Sequence, residues 1–104
     1  MTSAFHSETG TASASVSTVL TFTGNDVARV VIQSDGTADT SWTVDGSDPE
    51  MPPGDGGGGN GALLMESGGI VTDVLSLEGR YDDSGVVVKV ISSGTPAVSA
   101  RAEY

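Results

Sequence analysis

Acidic residues surround a glycine-rich segment in the middle of the chain, and their oxygens are the first candidates for chemistry. Asp45, Asp48, Glu50 and Asp55 lie within eleven residues, and Ca²⁺ binds several oxygen ligands on a flexible backbone. However, the stretch "DGSDPEMPPGD" lacks the D-x-[DN]-x-[DN]-G order of the EF-hand loop. Acids are also common in turns, where they hydrogen-bond to nearby backbone groups. The pattern therefore favours a solvated acidic loop without a metal, with a calcium site as the alternative.

The run "GDGGGG" at residues 54–59 formally matches the dinucleotide fingerprint G-x-G-x-x-G. That fingerprint requires a strand before it and a helix after it, so that the helix N-terminus can hold a pyrophosphate. Here prolines precede the run, a short strand-like segment follows it, and neighbouring acids would repel phosphate. We therefore predict no cofactor.

The glycine-rich segment could also link two domains. About 48 residues would precede such a linker and about 42 would follow it, and units of that size seldom hold a core without disulfides or metal. Residues 46–61 are instead predicted to form a Pro/Gly-rich loop within one domain.

Catalytic patterns are sparse in the sequence. His6 is the single histidine and lies in a polar N-terminal stretch, which leaves a serine nucleophile without a base. The pair Asp82 and Asp83 fits the turn "YDDSG", and Lys89 in "VVVKVI" fits a lysine that protects a sheet edge or extends to solvent. We predict no catalytic residues and a protein that is not an enzyme.

The overall charge argues against polyanionic partners. Fourteen Asp and Glu against four Lys and Arg give a net charge of −10, whereas nucleic-acid binding needs a basic patch. No cysteine is present to form disulfides, the longest apolar runs are far too short to span a membrane, and the first residues lack the features of a secretory signal. We predict neither nucleic-acid nor membrane contact. The basic residues are scattered along the sequence at Arg29, Arg80, Lys89 and Arg101.

Alternation of apolar and polar residues predicts about seven short strands separated by turns rich in Gly, Ser, Asp and Pro. In the first strand, Leu20 and Phe22 are expected on the same face as Val16 and Thr18. In the last strand, Glu103 is expected on a solvated face. The strands are predicted at residues 15–23, 27–34, 40–44, 62–65, 70–77, 86–92 and 97–104.

These strands predict an all-β protein with a single small β-sandwich at residues 13–104, built as a jelly roll or an immunoglobulin-like sandwich. A small barrel is an alternative. Trp42 shares a face with Thr40 and Val44 and is the expected core anchor. Residues 1–12 are small and polar, and a flexible N-terminal arm is predicted there.

Two segments carry a family resemblance: "SWTVDGSDPEMPPGDG" at residues 41–56 and "VVVKVISSGTPAVSARAEY" at residues 86–104. They resemble small all-β virion proteins encoded among the head and tail genes of tailed bacteriophages, particularly those with GC-rich actinobacterial hosts. In that family a strand ends in a "VDGSDP"-like turn before a Pro/Gly loop, and a "VKVISSGT"-like strand precedes the closing strand. The long glycine run departs from the pattern.

The resemblance implies a structural role on the outside of the virion, for a protein made in the host cytoplasm. The leading hypothesis is a capsid decoration protein that binds the major capsid protein and neighbouring copies of itself as a homo-oligomer. A tail location is an alternative. A second alternative is a carbohydrate- or cell-surface-binding sandwich in which Trp42, Tyr81 or Tyr104 stacks on the ligand and a Ca²⁺ lies near Asp45.

Overall fold

The computed structural model describes residues 4–23, 27–44, 49, 61–63, 71–77 and 86–104. All regular structure in these residues is β-strand, which confirms the all-β prediction, and seven of the eight strands coincide with the predicted ones. None of the described residues belongs to a helix that is long and apolar enough to cross a membrane. The strands are β1 (Phe5–Thr11), β2 (Ser17–Phe22), β3 (Arg29–Ser34), β4 (Thr40–Val44), β5 (Gly61–Leu63), β6 (Val71–Ser76), β7 (Val86–Ser92) and β8 (Ala97–Glu103).

The strands form two four-stranded antiparallel sheets. Sheet I has the order β1-β8-β3-β6 and sheet II the order β2-β7-β4-β5. Four antiparallel pairs lie one inside the other along the chain: β1–β8, β2–β7, β3–β6 and β4–β5. The chain thus resembles one long hairpin that is folded so that successive pairs lie in opposite sheets. Eight antiparallel strands wound in this way form a jelly roll, one of the two sandwich types predicted.

The core lies between the two sheets and is built largely from valine. Trp42 is 1% exposed, which confirms it as the core anchor. The alternation predicted for β3 and β8 places every second residue in this layer. The buried cluster consists of Ala12, Val19, Leu20, Val27, Val30, Ile32, Trp42, Val44, Leu77, Val86, Val88, Val90, Val98, Ala100 and Ala102.

The prediction of a flexible arm at residues 1–12 is wrong for most of that segment, because Phe5–Thr11 forms β1 and pairs with β8 over all seven residues. Each β1 residue is exposed. The strand therefore lacks the apolar alternation by which strands are recognised in a sequence. It is held by backbone pairing to a strand at the other end of the chain.

The predicted face assignment of β2 is also wrong in part. The pairing of β2 with β7 shifts register between Thr18 and Leu20, and Val19 and Leu20 are both buried although they are adjacent. A bulge of this kind places two residues opposite one on the partner strand. Thr18, predicted to share the face of Leu20, is exposed instead.

Two connections depend on glycine. Gly36 has a φ of 77° in the turn between β3 and β4, a conformation that glycine adopts without steric cost. Gly94, between β7 and β8, lies so close to Ala38 that a Cβ at position 94 would be 2.7 Å from the Ala38 Cβ. These turns therefore pack against each other.

The Pro/Gly-rich segment connects β4 to β5 at the tip of the nested hairpin. Pro49 is fully buried, and the other residues at 45–60 lie outside the described part of the chain. The loop predicted at residues 46–61 extends one residue too far, because Gly61 begins β5.

Candidate interaction face of sheet I

The face of sheet I that points away from sheet II combines exposed apolar groups with two arginine–glutamate ion pairs. The register aligns Phe5, Glu103 and Arg29 in one row across β1, β8 and β3, and it aligns Ser7, Arg101 and Val31 in the next row. We call this surface the outer face. It consists of Phe5, Ser7, Thr9, Thr11, Arg29, Val31, Gln33, Thr72, Val74, Ser76, Ala97, Ser99, Arg101 and Glu103.

Glu103 lies between two arginines. Its Oε1 accepts a hydrogen bond from the Arg29 guanidinium, and Arg101 Nε is 2.8 Å from its Oε2 in an ion pair. Only 12% of the Glu103 side chain is exposed. The hydrogen bond from Arg29, the positive charge of Arg29 and that of Arg101 hold the pKa of Glu103 below its usual range, although partial burial opposes the effect.

Apolar side chains flank these charges. Phe5 is 55% exposed, and the Arg101 guanidinium carbon lies 5.4 Å from the centre of its ring in a cation–π contact. Val74, on the opposite edge of the sheet, is 52% exposed. The outer face thus presents apolar surface at both of its edges, with a positively charged pair between them.

Two hollows lie on the outer face. The larger, of about 450 Å³, is lined mainly by β1, β3 and β8 residues that carry no charge, apart from Asp35 at its end. The smaller, of about 190 Å³, lies between Phe5, Val31 and Arg101. The larger hollow thus carries one negative charge at its end, and the smaller one carries the positive charge of Arg101.

Asp35 closes the end of the larger hollow and orders the turn after β3. Its Oδ1 accepts hydrogen bonds from the Thr37 hydroxyl at 2.7 Å and the Thr37 backbone N–H at 3.0 Å, and its Oδ2 accepts one from Ala97 N–H at 2.9 Å. The Thr37 hydroxyl is the main reason that the pKa of Asp35 lies below its usual range, and the two backbone donors add to it.

His6 lies in β1 and belongs to an aromatic stack at the end of the sandwich, with 44% of its side chain exposed. Its ring stacks on Phe22 at 5.4 Å between centroids, and Phe22 stacks on Tyr104 at 4.9 Å. His6 Nε2 is also 3.5 Å from Glu8 Oε2. The stack joins β1 to β2 and to the residue after β8.

Several other predicted roles change once the residues are placed. Trp42 donates a hydrogen bond through Nε1 to Asp73 Oδ2 at 3.3 Å, and its burial removes it as a stacking platform for sugars. Lys89 lies on β7, which is an interior strand of sheet II, so it does not protect an edge. Tyr104 is 39% exposed but already stacks on Phe22.

The remaining candidates lie outside the described residues. Among the residues that are described, no group of three or more His, Cys, Asp or Glu side chains could hold a metal ion. The calcium alternative and the "YDDSG" turn stay predictions, since the residues outside the described part include Asp45, Asp48, Glu50, Asp55, Tyr81, Asp82, Asp83 and the glycine run at 54–59.

Sequence reasoning missed the outer face because its key contacts are remote along the chain. Arg29 and Glu103 are separated by 74 positions, so the scatter of the basic residues in the sequence concealed a pair on one surface. Part of the signal was local, because Arg101 and Glu103 alternate along one strand and point to the same side.

Comparisons with known proteins add no family to this picture. No protein-family model matches the chain, and neither the curated proteins nor the solved structures contain a match to it.

Proposed function

We propose that this chain is a non-enzymatic virion structural protein that decorates the exterior of a bacteriophage capsid. In this proposal the outer face of sheet I binds the major capsid protein, and neighbouring copies of the chain contact one another on the shell. The protein is made in the host cytoplasm and joins the particle during assembly.

The observation that carries the proposal is the contrast between the outer face and the rest of the chain. The fourteen outer-face residues include Arg29, Arg101 and Glu103 as their charged members, a formal sum of +1, or 0 when Asp35 at the end of the larger hollow is added, whereas the whole chain carries −10. Surfaces that bind proteins combine exposed apolar groups and arginine with few acids. Phe5 and Val74 supply the apolar groups here.

The resemblance to phage virion proteins gives independent support. Its two segments include β4, β7 and β8, and β4 lies beside β7 in the centre of sheet II. β8 supplies Arg101 and Glu103 to the outer face. The segments that carry the resemblance thus contribute both to the scaffold and to the surface assigned to the capsid.

The experiment that tests this proposal adds the purified protein to undecorated capsids built from the major capsid protein encoded nearest its gene. The expected result is co-sedimentation that saturates at a fixed number of copies per capsid. Tails from the same phage, tested in parallel, separate the head location from the tail alternative. If the protein binds neither capsids nor tails, the proposal is wrong.

Carbohydrate binding is the second candidate, and the larger hollow is the observation that favours it. Its volume of about 450 Å³ lies within the range of small-molecule pockets, and threonine, serine and glutamine side chains line it. However, none of the described residues that line this hollow is aromatic, and stacking on an aromatic ring was the central feature of the carbohydrate hypothesis. If the chain binds host-surface glycans and Gln33→Ala abolishes that binding, carbohydrate binding would be favoured over capsid decoration.

A further inference from the structure

Three sheet edges differ in how their outward backbone groups are satisfied. On β2, the N–H of Thr21 donates to Glu8 Oε2 at 3.2 Å. On β6, the N–H of Val74 donates to Asp73 Oδ1 at 2.9 Å. In both cases a carboxylate occupies a position that an added strand would need, which is one way in which proteins protect their edges.

The free edge of β1 has no such protection. The N–H of Tyr104 donates to Ala4 O, and the N–H of Ala12 donates to Pro96 O. In an antiparallel pair the inward-pointing residues alternate, so the even-numbered residues between these two contacts face β8. The N–H and C=O groups of Phe5, Ser7, Thr9 and Thr11 therefore point away from the sheet. Within the described part of the chain, no side chain caps them.

We propose that β1 pairs with β1 of a second copy of this chain, antiparallel and across a two-fold axis at Ser7. The two copies of sheet I then join into one eight-stranded sheet. A two-fold axis makes the contact self-complementary, because each residue i that meets residue j on the partner is matched by the reverse pair. An exposed strand edge is a template for this kind of pairing.

The sequence "FHSET" favours this register over the two that are centred on the adjacent residues, His6 and Glu8. With Ser7 opposite Ser7, each His6 faces a Glu8 of the second copy, and each Phe5 faces a Thr9. A register centred on Glu8 would bring two carboxylates directly opposite each other, which is destabilising in a sheet. A register centred on His6 would bring two histidines together.

Backbone geometry agrees with the choice of Ser7. The residues with outward N–H and C=O groups are those that meet in hydrogen-bonded pairs, Ser7 with Ser7 and Phe5 with Thr9. His6 and Glu8 then form the non-hydrogen-bonded pairs, in which side chains come closest together. Glu8 keeps its bond to Thr21, because a carboxylate accepts several hydrogen bonds.

This inference deepens the self-association in the proposed function but is tested on the chain alone, without capsids. If the protein dimerises through β1 but does not bind capsids, only the decoration proposal is wrong. A protein that decorates capsids but fails the test below would remove only this inference.

The chain has no cysteine, so one introduced thiol reports on one position. Ser7→Cys places two thiols in a hydrogen-bonded pair with Cα atoms about 5.5 Å apart, within the range that a disulfide spans. Thr11→Cys is the matched control on the same strand and edge, and its two copies would lie about 27 Å apart along the strands.

Under mild oxidation, the Ser7→Cys protein is expected to form a covalent dimer at least about tenfold faster than Thr11→Cys, because only its thiols meet within disulfide range. In urea both variants should cross-link at the same slow rate. Equal rates under native conditions would overturn the proposal.

Ser7→Pro gives a second test, because it removes an outward N–H and adds a ring at the edge. In sedimentation velocity, the unmodified chain and Ser7→Ala should show the same concentration-dependent dimer. Ser7→Pro should raise the dimer dissociation constant about tenfold or more while the circular dichroism spectrum stays unchanged. A folded Ser7→Pro protein that dimerises normally, or an unmodified chain that stays monomeric throughout, would overturn the proposal.

Discussion

The carboxylate of Glu8 on β1 accepts a hydrogen bond from the backbone N–H of Thr21 on β2, 3.2 Å away. This contact crosses from sheet I to sheet II, so a side chain from one sheet satisfies the free edge of the other. Together with the stack of His6, Phe22 and Tyr104, it fastens β1 to the body of the sandwich.

Glu8→Ala should therefore destabilise the fold by about 0.5–1.5 kcal/mol, the usual net value of one hydrogen bond. Glu8→Gln keeps an acceptor oxygen and should recover part of the loss. Thr9→Ala, an exposed change on the same strand, should alter the free energy of unfolding by less than about 0.5 kcal/mol. Urea denaturation measures all three, and equal effects of Glu8→Ala and Thr9→Ala would contradict the assigned role of the carboxylate.

The bond between Trp42 Nε1 and Asp73 Oδ2 joins β4 of sheet II to β6 of sheet I. Trp42→Phe should cost about 1–3 kcal/mol, from lost volume in the core and from the lost donor. A double-mutant cycle with Asp73→Ala should give a coupling energy of about 0.5–1.5 kcal/mol. Additive effects of the two changes would show that the bond contributes nothing to stability.

Gly10 and Gly94 offer a matched pair of substitutions, because neither has a positive φ. Gly94→Ala forces its new Cβ against Ala38 and should destabilise by about 1–3 kcal/mol, as overpacking does. Gly10→Ala adds a Cβ in open space on β1 and should be neutral or stabilise by up to about 1 kcal/mol, since alanine is less costly to order. The midpoint of thermal unfolding distinguishes them, and a loss with Gly10→Ala equal to that with Gly94→Ala would contradict the predicted packing.

The pKa of Asp35 is lowered mainly by the Thr37 hydroxyl, and this direction determines how the stability of the protein changes with pH. A carboxyl whose pKa is lower when folded stabilises the protein above its unfolded pKa, about 3.9. That contribution is lost as the pH falls through the folded value. Stability should therefore drop in acid below about pH 4, and Asp35→Asn should make the drop shallower. An unchanged pH profile in Asp35→Asn would contradict this assignment, and Glu103 should account for acid sensitivity that remains.

The positions of β2 to β8 could be predicted because each strand alternates and each turn contains Gly, Pro or small polar residues. β1 could not be predicted, since "FHSETGT" has no alternation of apolar residues and the strand is held by pairing with β8 and by contacts with β2. The bulge at Val19 was missed for a related reason: alternation assumes an uninterrupted register, and only the partner strand reveals a shift.

Only part of the outer face could be predicted from the sequence. Alternation correctly put Arg101 and Glu103 on the same side of the last strand, and it predicted that side to be solvated. Glu103 is instead only 9% exposed, and it is hydrogen-bonded to Arg29, which lies on a strand far away in the sequence. Contacts of this kind depend on topology, and the nested pairing of the jelly roll could not be read from single strands.

If the outer face binds the capsid, substitution of an exposed valine should weaken capsid binding only when that valine lies on the outer face. Val74→Asp places a charge on that face and should weaken capsid binding at least about tenfold, because a carboxylate in an interface core loses its hydration. Val16→Asp is the matched control, since Val16 is exposed but precedes β2 in sheet II. Titration of capsids with each variant measures the difference, and equal weakening by both would assign binding to another surface.

The most direct measurement is an electron cryomicroscopy reconstruction of capsids incubated with the purified chain, compared with undecorated capsids. We expect added density at fixed positions on the shell exterior, with the outer face of sheet I against the major capsid protein. Identical reconstructions with and without the chain, or added density in which another surface of the chain faces the shell, would contradict capsid binding by the outer face.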